Sequence, residues 1–163
     1  NKPVHHDALF GLLTGAAPHS APLAQLPPTH FGLHILVVED IAMNQRLIQR
    51  VLANLGCTWH VVENGRRAIE ELQQHAEDYA LILLDLHMPE MDGITALQEV
   101  RRGQAGLRAQ TMWVIALTAD ARAEQRSRGL AAGLNDYLTK PLKVPELEAA
   151  LRRFRSERGS AKP

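Results

Sequence analysis

Residues 80–85 read Ala-Leu-Ile-Leu-Leu-Asp, five apolar residues that stop on a carboxylate. The run is short for a helix, and its unbroken apolar character fits a strand covered on both faces. The same form recurs on either side. Ile35-Leu36-Val37-Val38 ends abruptly in Glu39-Asp40, and Trp59–Glu63 (WHVVE) is punctuated by Asn64-Gly65. Met112–Leu117 (MWVIAL) ends on Thr118, and Asn135–Thr139 (NDYLT) is a weaker fifth run that ends on Lys140-Pro141.

Helical spacing fills the gaps. Met43, Leu47, Ile48, Val51, Leu52 and Leu55 form a stripe closed by Gly56, where a left-handed cap is expected. Ala68, Ile69 and Leu72 mark a shorter helix. Asp92 is placed to cap a helix with Ile94, Leu97 and Val100 inward. Residues 121–132 are helix-prone with a thin apolar face, on which Leu130 is the large anchor. Pro145 suits the first turn of a last helix that turns Leu147, Ala150, Leu151 and Phe154 inward. Five strands alternating with helices predict an α/β domain: an open, doubly wound parallel sheet with helices on both faces.

Composition narrows the class. The 163 residues are 45% apolar and 22% charged, and 18 basic residues balance 18 acidic ones. That balance argues against a strongly basic nucleic-acid binder and against a polybasic membrane clamp. The single cysteine, Cys57, excludes an internal disulfide and reads as a small core residue. No apolar stretch approaches the ~20 residues of a membrane span, and a cytoplasmic domain is the expectation. Residues 1–33 carry only Lys2 and Asp7 as charges but hold Pro3, Pro18, Pro22, Pro27 and Pro28. Residues 14–32 therefore read as an Ala/Pro/Gly-rich linker, residues 33–156 as the compact domain, and residues 157–163 as a flexible tail.

Parallel strands bring their carboxyl ends to one edge, where a doubly wound sheet places its site. Glu39 and Asp40, Asp85, Thr118 and Lys140 converge there. Three neighbouring carboxylates repel one another unless a cation offsets them. Oxygen ligands and a shallow, wet edge suit Mg²⁺ (or Mn²⁺), whose open positions phosphate oxygens commonly fill. Lys140 adds a positive charge and Thr118 a neutral donor. This is the composition of a phosphoryl site with Asp85 as nucleophile.

The residues V-V-E-D (37–40), L-L-D-L-H-M-P-E-M-D-G (83–93), A-L-T-A (116–119) and Y-L-T-K-P (137–141) resemble the receiver domain of two-component response regulators. The resemblance covers residues 34–156 with every element in order. It implies a flavodoxin-like sheet of order 2-1-3-4-5. It implies that Asp85 accepts a phosphoryl group from a phosphohistidine. Asp40, Asp85 and the His87 backbone carbonyl would bind the metal, with Glu39 acting directly or through water. The family often has aspartate where Glu39 stands. Thr118 would hydrogen-bond the phosphoryl oxygens, Lys140 would pair with them, and Tyr137 would be the switch aromatic. Such a domain assists its own phosphorylation and dephosphorylation without being a kinase. Its partners would be a histidine kinase or a histidine phosphotransfer domain, with no nucleic acid and no membrane contact. Docking is expected on the first helix, through Asn44, Gln45 and Arg46, beside Pro141.

Two other readings are weaker. A Mg²⁺-dependent phosphohydrolase with an aspartyl nucleophile usually carries a second aspartate two residues on, where His87 stands. A degenerate receiver used only for docking would have lost the nucleophile or the lysine, and both are present. Lys2-Pro3-Val4 with Leu9 and Leu13 parallels Lys140-Pro141-Leu142 with Leu147 and Leu151. Residues 1–13 therefore read as the tail of a preceding receiver-like domain, in a hybrid sensor histidine kinase with tandem receivers and a membrane-anchored parent. The E-D-x-x-x-N-Q run (39–45) resembles such kinases too. His5-His6 lacks a third metal ligand nearby. Arg152, Arg153, Arg155 and Arg158 are expected to complement a helix C-terminus.

Overall fold

The computed structural model describes residues 29–120 and 122–160. The expected domain tail at 1–13, its Lys2-Pro3 turn, His5-His6 and most of the linker lie outside them. Five parallel strands form one sheet: β1 (His34–Val38), β2 (Thr58–Val62), β3 (Leu81–Asp85), β4 (Trp113–Thr118) and β5 (Asp136–Thr139). Their spatial order is β2-β1-β3-β4-β5. Helices α1 (Ala42–Asn54), α2 (Gly65–His75), α3 (Gly93–Arg101), a short α4 (Leu107–Gln110), α5 (Ala123–Ala132) and α6 (Val144–Ser160) connect or follow them.

Strand alternation divides the core in two. Ile35, Val37, Leu81, Leu83, Ile115 and Leu117 face Ile48, Val51 and Leu52 of α1 and Leu147, Leu151 and Phe154 of α6. Leu36, Val38, Ile82, Leu84, Val114 and Ala116 face Leu72 of α2 and Leu97 and Val100 of α3. With both faces covered, the central strands β1, β3 and β4 carry unbroken apolar runs, while the edge strands β2 and β5 mix in Thr58, His60, Asp136 and Thr139. Asn64 caps α2 by accepting from the Arg67 amide at 2.8 Å, and Asp92 caps α3 by accepting from Thr95 at 2.9 Å. Gly56 adopts the left-handed conformation expected after α1 (φ 63°), and Cys57 is buried.

The structure corrects several expectations. Met43 and Leu47 are 74% and 37% exposed, so the core stripe of α1 is narrower than the periodicity suggests. Leu130 is 57% exposed and anchors nothing; buried Gly129 faces inward from α5 instead. Helix α6 runs to Ser160, past the expected end at 156.

The domain also begins earlier than residue 33. Phe31 is buried, its amide bonds the Leu55 carbonyl at 2.9 Å, and Arg155 stacks on its ring and donates to its carbonyl. Thr29 donates to Glu148 at 3.0 Å and accepts from Arg152 at 2.9 Å. Arg153 pairs with Asp136 at 2.6 Å. Arg152, Arg153 and Arg155 thus tie down the entering chain and β5, and of the four arginines Arg158 alone stands in the last turn of α6.

Candidate functional site

The open edge at the carboxyl ends of β1, β3, β4 and β5 gathers the predicted residues. Glu39 follows β1 and is fully buried, its amide continuing the pairing with β2 through Val62 at 3.1 Å. Its Oε1 accepts from the Ile41 amide and from Asn44 Nδ2, both at 3.1 Å, and its Oε2 accepts from Lys140 Nζ at 2.7 Å. Gln45 donates to the Glu39 carbonyl at 2.7 Å. Asn44 and Gln45 are therefore half-buried braces of the acidic pair, not the free docking groups expected of them. Their place in the E-D-x-x-x-N-Q run was the available signal.

Asp85 ends β3 and is buried. Its Oδ1 accepts from the His87 amide at 3.0 Å, and its Oδ2 lies 2.9 Å from Lys140 Nζ. Lys140 follows β5, and its amide bonds the Thr118 carbonyl at 2.8 Å, which sets the ammonium between Glu39 and Asp85. Burial alone would lower the Lys140 pKa, but hydrogen bonds and charge from those two carboxylates outweigh it and raise it. Oxygens of Glu39, Asp40 and Asp85 lie within 4.8 Å of one another. One ammonium against three carboxylates leaves two negative charges unbalanced. Asp40 Oδ1 is buried with no hydrogen-bond partner. An all-oxygen donor set holding an orphaned carboxylate oxygen fits a hard divalent cation.

Two predicted residues stand back from this cluster. Thr118 is buried, but its hydroxyl donates to the Asp120 carbonyl at 2.9 Å and accepts from the Asp120 amide at 3.0 Å. Asp120 is locked to Arg122, whose hydrogen bonds lower its pKa. The Tyr137 hydroxyl shares its proton between the carbonyls of Gln125 (3.1 Å) and Arg126 (3.0 Å) on α5. The His87 side chain is exposed and lines a concavity of about 320 Å³ with Asp92, Thr95, Gln98, Gln125 and Arg128. The chemistry therefore sits on an open edge with a polar cleft beside it. Neither the Asp120–Arg122 lock nor the Asn44–Glu39 brace was assigned from sequence.

Residues 35–152 match the response regulator receiver domain family. The receiver domain of the sensor histidine kinase PA1611 from Pseudomonas aeruginosa PAO1 was solved with a magnesium ion coordinated in its active site cleft. It is 38% identical to this chain with a TM-score of 0.67, covering 76% of this chain and 97% of that one. The sensor protein GacS of Pseudomonas syringae pv. syringae is 37% identical over 113 residues, 69% of this chain and 12% of that protein. Hybrid signal transduction histidine kinase G of Dictyostelium discoideum is 38% identical over 124 residues, 75% of this chain and 4% of that protein. The chain thus spans a small fraction of these curated relatives. No helix among the described residues is long and apolar enough to cross a membrane.

Proposed function

From a chain that belongs to the response regulator receiver domain family, we propose a phosphoacceptor whose nucleophile is Asp85. The observation that carries this reading is the Lys140 ammonium held between Glu39 and Asp85 at 2.7 and 2.9 Å, beside the unpartnered Asp40 oxygen. Asp40, Asp85 and the His87 carbonyl would hold Mg²⁺ or Mn²⁺. Glu39, whose oxygens already receive three donors, would act through water. The bound cation offsets the field that three carboxylates present to a dianionic phosphoryl group.

An Asp85 oxygen attacks phosphorus as the phosphohistidine P–N bond breaks, and the leaving imidazole keeps that electron pair. The product is an acyl phosphate whose oxygens Lys140 can pair. The Thr118 hydroxyl would exchange its Asp120 partners for a phosphoryl oxygen. Tyr137 would then leave the α5 carbonyls for the space that Thr118 vacates. A receiver works by shifting a two-state population, so a few kcal/mol suffices.

The donor would be a histidine kinase or a histidine phosphotransfer domain. The kinship with GacS and the Dictyostelium hybrid kinase supports a place within a hybrid sensor kinase, and the parallel of Lys2-Pro3-Val4 with Lys140-Pro141-Leu142 supports residues 1–13 as the end of a preceding receiver. Incubation with a small phosphodonor, with and without Mg²⁺, tests the core reading. One metal-dependent label per chain is expected, and none on Asp85→Asn. Sustained turnover would indicate a phosphohydrolase, absence of labelling a docking module, and an undiminished label on Asp85→Asn a different nucleophile.

A further inference from the structure

At the amino-terminal edge of the sheet, opposite the acidic cluster, a cavity of about 130 Å³ opens between the α4–β4 turn and α6. Buried Met112 and Phe154 line it, with Ala80 beside them. The Trp113 ring forms a wall, meeting Phe154 edge-on at 5.8 Å. Arg108, Thr111 and Arg158 supply the polar lining, and no carboxylate is among the lining residues. Exposed Glu77 reaches Arg108 at 3.4 Å. Arg158 lies over the Phe154 ring at 5.6 Å and has no ion pair among the described residues. The Trp113 Nε1–H is buried without an acceptor.

We infer that this cavity is a binding site for a small oxyanion, a phosphate or a short carboxylate. Arg158 borders the hollow without a carboxylate partner among the described residues, Arg108 is met only by exposed Glu77, and the planar donor forks of both match an anion's oxygens. Thr111 offers a further hydroxyl donor. The volume holds about four waters, enough for phosphate or malonate and too little for a nucleotide. β3 and β4 separate the site from Asp85 by roughly 15 Å, so the anion would act on α6 and the base of β4 rather than on phosphoryl transfer.

Two-dimensional ¹⁵N NMR tests this directly, because the chain has two indole N–H groups, Trp59 and Trp113. Trp59→Phe assigns them. Phosphate and malonate are titrated separately without divalent cation, against chloride at matched ionic strength. The expected result is a saturable shift of the Trp113 indole signal with one of the two anions. Arg108→Gln and Arg158→Gln should each weaken that binding at least tenfold, leaving Asp85 labelling unchanged. A response equalled by chloride, retained by the double variant or absent with both anions overturns the site. None of these outcomes touches the receiver reading, since no residue of the acidic cluster takes part.

Discussion

The hydroxyl of Tyr137 occupies the space that a side chain on Gly129 would need. A Cβ built on Gly129 would overlap the Tyr137 oxygen outright and lie 2.7 Å from its Cζ. Gly129 is therefore what lets the ring tuck beneath α5 and bond the Gln125 and Arg126 carbonyls. Gly129→Ala should expel the ring. It should lower stability by about 1–3 kcal/mol despite the better helix propensity of alanine. In a Tyr137→Leu background the same substitution should cost much less, because two of the three nearest obstructing atoms belong to Tyr137 and the third is a methyl of Leu134. Urea unfolding of the four proteins gives the coupling energy. Additive effects would show that Gly129 does not hold the aromatic position.

Asp40 presents the opposite case, a group whose present state costs stability. Its buried oxygen has no partner and sits with two other carboxylates against one ammonium. Asp40→Asn removes a charge at nearly constant shape. The metal-free domain should gain about 1 kcal/mol. Stabilisation by added Mg²⁺ should shrink, because a weaker complex contributes less through mass action. Urea midpoints with and without Mg²⁺ check both effects. A less stable metal-free variant would mean that Asp40 is held by contacts its geometry does not show.

Both tyrosines of the chain are held above the ordinary phenol range. Burial does this first for Tyr79, reinforced by donation to Glu71 at 2.6 Å and by the Glu71 and Asp78 charges. Burial also raises Tyr137, against the lowering effect of Arg126. Above about pH 10 the unfolded chain loses phenolic protons that the folded chain keeps. Stability from these groups is thus fully present below that pH and declines as pH rises through the folded values. Absorbance at 295 nm should show delayed ionisation of the native protein, and Tyr79→Phe should flatten the alkaline loss. Two phenols titrating near pH 10 in the native state would refute it.

The central strands and the acidic edge were legible because β1, β3 and β4 carry unbroken apolar runs that give way to a polar group, a pattern that sheet geometry converts directly into a cluster. Other features depend on tertiary context. Periodicity places Met43 and Leu47 on the core side of α1 but carries no information on how wide a stripe the sheet covers. Phe31 is a lone aromatic in a Pro-rich stretch, and only the arriving Arg155 makes it core. On α5, Leu130 looked like the anchor, yet the position that faces Tyr137 has no side chain. Which groups the Thr118 hydroxyl engages depends on the turn from Thr118 to Asp120, which no local pattern specifies.

The exposed face of α1 bears on how a protein donor would reach Asp85. Ile41, Met43 and Leu47 are exposed there, with Arg46 also in solvent. A small hollow lined by Asn44, Leu47, Ile48, Lys140, Pro141 and Leu142 lies between this helix and the β5–α6 turn. An apolar patch beside the acidic edge suits the helices of a phosphotransfer partner, laid across the strand ends with its imidazole in line with Asp85. The side chains to alter are therefore Met43, Arg46 and Leu47 rather than the braces Asn44 and Gln45. Met43→Glu should slow transfer from a phosphorylated partner by at least tenfold, chiefly by weakening association, and Arg46→Glu should act in the same direction. Labelling by a small phosphodonor should be unchanged, because that donor needs no protein surface. Asn44→Ala should instead slow both reactions, since it loosens Glu39 and with it the placement of Lys140. If Met43→Glu reduced both rates equally, or neither, the partner would have to dock elsewhere on the domain.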